Sequence, residues 1–483
     1  MLKIARQIVT RLRRSIRSQA ASRRELSIAV IPAGEQAPID PFIDEFVDRL
    51  GQIGSTLVLD SGLVDEHLGP GAADATQHGS HNDRLLSWLN EQEAKHRYIV
   101  YRADASATNW TRRCLRLADR VLAVGLARSN PERNEIEEEF LKHGSNKVFA
   151  QAELVLVHEN DGTPPSGTKH WLALRNVRGC HHIRSGLEKD YERLVRLLTG
   201  RAFGLVLGGG GARGLAHVGV IRAIQEIGIP IDAIGGTSMG AVISGFYAMN
   251  SDLENMTALC RTTFLKQRKL LDITFPAVAL ASGKRIGKHL ETVFGDAQIE
   301  DLWLKYYCVS SNLTRAETAV HRDGSCWQRI RASISLPGIL PPIYHDGDLL
   351  VDGSVTNNLP VGIMRTTCDG GTVIAVDVSP KVDMRQKVSF GEAISGWKVL
   401  RRGMNPFARS MEVPTIANVL MRTTLLGSSS AQAANARDAD LCLYPPVENA
   451  GLLEFQAFED LAETGYRYAV EELQKWWPDN AIR

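Results

Sequence analysis

Two short patterns in this chain hold residues equipped for chemistry. The first is Gly236-Thr237-Ser238-Met239-Gly240, a G-x-S-x-G pattern. Such a pattern sets a serine on a sharp turn between a strand and a helix. The second is the glycine run 208–211, continued by Ala212, Arg213 and Gly214. A serine hydroxyl attacks a carbonyl only when a base takes its proton. The oxyanion that forms needs N–H donors aimed at it. The chain therefore has to be searched for a nucleophile, a donor cluster and a base.

The residues up to Ile234 predict a short strand, and "MGAVISGFYAM" predicts a helix. Ser238 then falls at a helix N-terminus, where unpaired N–H groups and the helix dipole favour negative charge. Gly236 and Gly240 leave room for a tight elbow. The same serine also reads as a plain helix N-cap between two turn glycines. The glycine run follows the apolar run "AFGLVL" and matches G-x-G-x-x-G at 209–214. A dinucleotide site requires an acidic residue about 20 positions on, at the end of the second strand. Asp232 stands at that strand's beginning instead. The other reading is an oxyanion hole over Gly209, Gly210, Gly211, Ala212, Arg213 and Gly214. In it Gly210 and Gly211 supply the N–H donors and Arg213 adds positive charge. Arg213 reads equally as an ordinary surface residue.

The base is the open question. An α/β-hydrolase orders its triad as serine, acid, histidine. Of thirteen histidines only His289, His321 and His345 follow Ser238, and none lies in a late loop. His217 falls within a predicted helix and reads as packing. His345 opens "HDGD", a hairpin turn. Asp352, in "LLVDGSVTNNLP", follows an apolar strand and precedes Gly353 and Ser354. That position faces a cleft at a strand end, or makes an ordinary turn before glycine.

The elements that must hold these groups are legible as apolar runs. From Leu26 to about Gly200, "LSIAVIPAG", "STLVLD", "YIVYRAD", "DRVLAVG" and "AELVLVH" alternate with helix-like segments. This predicts a mostly parallel sheet with crossover helices. The turn after the first run, Pro32-Ala33-Gly34-Glu35, lacks both the dinucleotide fingerprint and the end of a phosphate loop. The region holds no catalytic constellation and reads as a structural or interaction domain. "NDGTPPSGTKH" (160–170) reads as a loop. A second α/β block begins at Arg201, with later strands at "YYCVSSNL", "TAVHRD", "DLLVDG", "TVIAVDVS" and "ADLCLYP". Leu452 to Trp477 predicts a closing amphipathic helix.

Composition bounds the setting. The chain has 483 residues with 44% hydrophobic and 23% charged side chains, ordinary for a globular protein. Seven scattered cysteines form no C-x-x-C pair, so neither a zinc site nor a disulfide framework is expected, and no cofactor is called for. No apolar run is long enough to span a bilayer, and a cytoplasmic chain is expected. Residues 1–24 carry eight basic and no acidic side chains, while the other 459 residues carry 48 basic and 55 acidic, a net of −7. Ile4, Ile8, Leu12 and Ile16 recur every four residues. The segment reads as a helix on an anionic membrane surface, peripheral on the inner face, or as a helix docked on the body or a frayed tail.

Three blocks, "GGGGARGLAHVGVI" (208–221), "GGTSMG" (235–240) and "RASISLPGILPPI…VDGSVTNNLP" (331–360), resemble the characteristic motifs of the patatin-like phospholipase family, in order. With "LSIAVIPAGE", "RYIVYRAD" and "WTRRCLRLADRVLAVG", residues 25–470 look like the bacterial relatives of neuropathy target esterase. The resemblance implies a three-layer α/β/α catalytic domain after a second α/β domain. The expected boundaries are 1–24, 25–200, 201–370 and a completing 371–483. It implies a serine–aspartate dyad, with Ser238 as nucleophile, Asp352 as base and the 209–214 turn as oxyanion hole. The implied substrate is a phospholipid or lysophospholipid ester. The family's third motif ends in glycine or alanine where this chain has Ser354, also a small residue. Larger relatives carry cyclic-nucleotide-binding modules upstream. About 24 residues precede the matching region here, so no cyclic nucleotide is expected as a partner, and separately no nucleic acid is expected. The chain between the second and third blocks and the segment 396–407, "GWKVLRRGMNPF", are expected to line or cover an acyl pocket. Two rival readings are a non-enzymatic lipid- or nucleotide-binding scaffold, and a hydrolase whose base is one of the three late histidines.

Overall fold

The apolar runs named above are strands in the computed structural model, with ends displaced by no more than three residues. The structure describes residues 26–76, 80–142, 152–250, 252–266, 272–379, 395 and 431–480. The basic segment 1–24 and the stretch 396–407 lie outside the described residues. Among the described residues no helix is long and apolar enough to cross a membrane. The chain divides into two compact units between Val195 and Arg196.

The first unit is built on six parallel strands: β1 (Leu26–Pro32), β2 (Thr56–Leu59), β3 (Tyr98–Arg102), β4 (Arg120–Leu126), β5 (Ala152–His158) and β6 (Cys180–Arg184). Their order is β2-β3-β1-β4-β5-β6. Parallel neighbours need crossover connections. These run through α1 (Ile39–Gly51), α2 (Ser61–Leu68), α3 (Ser80–Lys95), α4 (Asn109–Leu117), α5 (Glu135–Lys142) and α6 (Thr168–Ala173), and α7 (Glu188–Thr199) follows the sheet. Side chains of Asp60 and Thr108 cap α2 and α4. The expected loop 160–170 is cut short, because α6 begins at Thr168. The turn after β1 is closed from within. Gly34 N–H donates to Glu137 at 3.1 Å, and the buried Arg175 holds that carboxylate.

The second unit has eight strands: β7 (Phe203–Leu207), β8 (Ala233–Thr237), β9 (Lys305–Asn312), β10 (Glu317–His321), β11 (Ile343–His345), β12 (Asp348–Asp352), β13 (Thr372–Val376) and β14 (Leu441–Leu443). The order is β11-β12-β9-β8-β7-β13-β14, with β10 also paired to β9. The five-strand stretch from β9 to β14 is parallel, while β10, β11 and β12 join antiparallel. Side chains alternate across a strand, and the cores follow that alternation. Leu205, Leu207, Tyr306, Cys308, Ile374 and Val376 enter one core, and Val206, Tyr307, Val309, Val373 and Ala375 the other. The first core is covered by α8 (Ala216–Ile227), α9 (Met239–Asn250), α10 (Leu253–Arg261), α11 (Lys284–Phe294), α12 (Cys326–Ser333) and a closing helix at Phe458–Asn480. The second is covered by α13 (Val361–Cys368). This is a three-layer α/β/α arrangement. The closing helix, α14, starts six residues later than the sequence suggested, after a short turn at Phe455–Ala457.

Candidate active site

Ser238 sits between β8 and α9 with φ of +54°. A side-chain-bearing residue in this left-handed region stores about 1–3 kcal/mol that its surroundings must supply. Close packing supplies it here. A Cβ at Gly236 would lie 2.3 Å from Leu207 O, and one at Gly240 would lie 2.0 Å from the same atom. The two glycines let the elbow press onto β7. Ser333, at the end of α12, fixes the elbow from the other side. Its Oγ accepts Ser238 N–H at 3.0 Å and donates to Val309 C=O at 2.6 Å.

Asp352 reaches Ser238 through β9. That strand pairs with β8 over residues 305–309, with β10 over 308–312 and with β12 over 310–312. The overlaps put β10 on one edge and both β8 and β12 on the other. β8 ends opposite Val309 and β12 ends opposite Ser310. The last residues of two strands that arrive from different directions therefore meet side by side. Ser238 Oγ donates to Asp352 Oδ2 at 2.7 Å. Asp352 Oδ1 accepts Ser354 N–H at 2.9 Å, and Asp352 N–H donates to Ser335 C=O at 2.9 Å. A Cβ at Gly353 would stand 2.4 Å from Val309 O, so the third motif needs its glycine for this approach. Asp352 is 1% exposed. Burial pushes its carboxyl above the usual range, and the bonds from Ser238 and Ser354 offset part of that rise.

The glycine-rich turn lies against the elbow. A Cβ at Gly209 would be 3.0 Å from Ser238 Cβ and 2.6 Å from Asn358 Oδ1. Gly211 has φ of +58° and opens a short 3-10 turn over Gly211–Leu215. Among the described residues the N–H groups of Gly210 and Gly211 have no hydrogen-bond partner. Ala212 corrects the expectation for the 209–214 run. Its N–H donates to Leu452 C=O at 2.8 Å and is not available to a ligand. Gly209 N–H is weakly engaged by Asn358 C=O at 3.4 Å. Gly214 serves packing, since a Cβ there would be 2.4 Å from Met239 Cγ. Arg213 is no ordinary surface residue: it is 9% exposed and lines the site cavity.

The remaining polar candidates are engaged elsewhere. His217 is fully buried, with Nε2 2.8 Å from Gly208 C=O, and burial lowers its pKa to about 4. It holds the glycine turn as a neutral ring. His321 bonds Ser310 Oγ at 2.8 Å, and its pKa is likewise lowered to about 4 by burial. His345 pairs with Asp346 on the β11–β12 hairpin. His289 lines the cavity, but its Nε2 is 2.8 Å from Thr263 Oγ1. Asp232 is buried under Arg196 at 2.8 Å and accepts Phe203 N–H at 2.9 Å, a structural role.

Ser238 and Asp352 line the same cavity. Its walls are largely apolar, with Val242, Phe264, Leu290, Ile339 and Leu452 among them. Two residues here lie inside the 331–360 block without standing out in it. Ser333 is one. Asn358 is the other: its Nδ2 donates to Gly209 C=O at 3.3 Å and Ser379 Oγ at 2.8 Å. Its buried Oδ1 has no partner among the described residues.

A strained serine facing a strand-end aspartate beneath a glycine-rich turn, on a three-layer sheet, defines a patatin-type α/β fold. Comparison with known proteins agrees. Residues 205–365 match the family described as patatin-like phospholipase, and residues 26–199 match the neuropathy target esterase family P-loop like domain. The chain thus carries a neuropathy target esterase family P-loop like domain followed by a patatin-like phospholipase domain. Patatin-like phospholipase domain-containing protein 7 of Mus musculus is 36% identical over 93% of this chain and 35% of its own length. Neuropathy target esterase sws of Drosophila melanogaster is 33% identical over 91% of this chain and 33% of its own. Lysophospholipase nte1 of Emericella nidulans is 34% identical over 95% and 34%. The chain spans about a third of the length of these relatives.

Proposed function

We propose that this chain hydrolyses carboxylic esters of phospholipids or lysophospholipids through a Ser238–Asp352 dyad and an acyl-enzyme. The observation that carries the reading is the 2.7 Å bond from Ser238 Oγ to Asp352 Oδ2 within a mostly apolar cavity. Ser238 Oγ attacks the ester carbonyl and Asp352 Oδ2 takes its proton. The N–H groups of Gly210 and Gly211 receive the oxyanion, with Arg213 close by. Collapse breaks the ester C–O bond, and Asp352 returns the proton to the departing alcohol. Water then attacks the acyl-enzyme, Asp352 accepts its proton, and Ser238 regains a proton as the fatty acid leaves. The raised Asp352 carboxyl suits this role, because an ordinary carboxylate near pKa 3.9 is a poor base for a hydroxyl. The apolar walls suit an acyl chain, and the sequence relatives include proteins named as a phospholipase, an esterase and a lysophospholipase. In this reading residues 201–483 form the catalytic domain and residues 25–200 an accessory domain.

The test is fatty-acid release from lysophosphatidylcholine and from a short-chain ester, by wild type and by Ser238→Ala. Wild type is expected to cleave both, and the folded alanine variant to lose at least about 10³-fold on both. Cleavage of the short ester alone keeps the chemistry and removes the lipid assignment. Comparable rates for the two proteins reject the dyad.

A further inference from the structure

Among the described residues, large exposed apolar side chains gather in one loop. Ile273 is 86% exposed, Phe275 85%, Val278 71% and Leu280 43%. Asp272 closes the base of this loop. Its carboxylate accepts the N–H groups of Gly283 at 3.0 Å and Lys284 at 3.1 Å, and the Ser282 hydroxyl as well. Its C=O accepts Ser282 N–H at 2.9 Å, and across the loop Thr274 N–H donates to Leu280 C=O at 3.0 Å. Leu280 and Ala281 N–H then donate to Gly338 and Ile339 C=O at 2.9 and 3.0 Å. Ile339 lines the Ser238 cavity. The loop is thus braced on the cavity wall while its tip shows apolar side chains to solvent.

Single exposed apolar residues are normal, but a contiguous group marks an interaction site. Charge says what kind. Lys284 and Lys288 follow on one face of α11, both exposed, and neither has an ion-pair partner among the described residues. Apolar side chains that enter the acyl boundary, with lysines at headgroup depth, are how a protein rests on a bilayer. We propose that the 272–283 loop docks on a lipid bilayer, with Ile273, Phe275 and Val278 among the acyl chains and Lys284 and Lys288 on anionic headgroups. This rests on the lipid-esterase reading, because continuity with the cavity wall is what favours a lipid surface over a second copy of the chain.

The experiment compares the full chain with the I273S/F275S/V278S variant in co-flotation with phosphatidylcholine vesicles. High salt, about 0.5 M, screens the basic residues 1–24. Partitioning is expected to fall at least about tenfold, while hydrolysis of a soluble short-chain ester stays within about twofold of wild type. With phosphatidylglycerol in the vesicles at low salt, K284E/K288E is expected to weaken binding further. Unchanged partitioning of the triple variant overturns the proposal. So does a wild-type dimer that the triple variant converts to monomer, which would make the loop a contact between copies. Binding is read without turnover, so loss of vesicle binding in the variant supports the docking surface even if wild type cleaves no ester, a result that rejects the esterase reading alone.

Discussion

A serine held at φ +54° keeps its place only because its neighbours over-determine it. Ser333 is the neighbour with the most direct hold. Ser333→Ala removes the acceptor for Ser238 N–H and the donor to Val309 C=O. The expected result is a loss of about 10–100-fold in kcat with little change in KM, read by steady-state kinetics on a short ester. The protonation state of Asp352 sets the pH dependence. Burial raises its carboxyl, and only the ionised form accepts a proton, so activity falls as pH drops through that raised value. The acid limb of kcat/KM should lie above the ordinary carboxylate range. For stability the sign is opposite. The native state favours the protonated carboxyl, so stability declines as pH rises from the unfolded value to the raised one, and the penalty persists above it. Asp352→Asn is therefore expected to match or exceed wild type in Tm at neutral pH. Sequence made Ser238 and Asp352 visible because each sits beside glycines at the end of an apolar run. Ser333 and Asn358 lie in "ASIS" and "TNNL", where like residues adjoin and no periodicity singles one out. Only contacts distant in sequence give them work: Ser333 bonds Val309 on β9, and Asn358 bonds Gly209 and Ser379.

The strand-end meeting on β9 is the element-scale device. It depends on close backbone approach, so Gly240→Ala, with a Cβ 2.0 Å from Leu207 O, should lower Tm by several degrees and reduce activity together. The helix pair α8–α14 makes a parallel case. A Cβ at Gly219 would be 1.8 Å from Ala462 O, and one at Gly465 would be 2.2 Å from Ala216 O. Gly219→Val should therefore cost stability without touching the site, visible as a lower denaturation midpoint with unchanged KM. Most elements were legible because β-branched runs and glycine or proline punctuation agree with the fold. α8 ends at Gly228 in the left-handed region, as "EIGIP" suggests. The "HDGD" turn likewise joins β11 to β12, with positive φ at Asp346 and Gly347. β6 escaped notice. "CHHIR" has no apolar run, and its buried His181 meets Glu153 on β5 at 2.7 Å. That polar satisfaction is a tertiary fact and leaves no local pattern.

At the scale of the whole molecule, charge is divided along the chain. Eight basic side chains crowd residues 1–24, and the remainder is net acidic. Deletion of residues 2–24 is expected to weaken binding to anionic vesicles at low salt and to spare soluble-ester hydrolysis, as co-flotation and a spectrophotometric assay would record. The two α/β units were legible as two alternating blocks, since strand–helix alternation is a local signal. The pairing order within each sheet was not, because register is set by contacts distant in sequence. The claim on which the rest depends is that an aspartate alone serves as base. The most direct measurement is kcat for a short-chain ester with Asp352→Asn, beside His289→Ala, each checked for native Tm. The account predicts at least about a 10³-fold loss for Asp352→Asn and an effect of His289→Ala confined mainly to KM. A folded, active Asp352→Asn, or loss of turnover in His289→Ala, would contradict it.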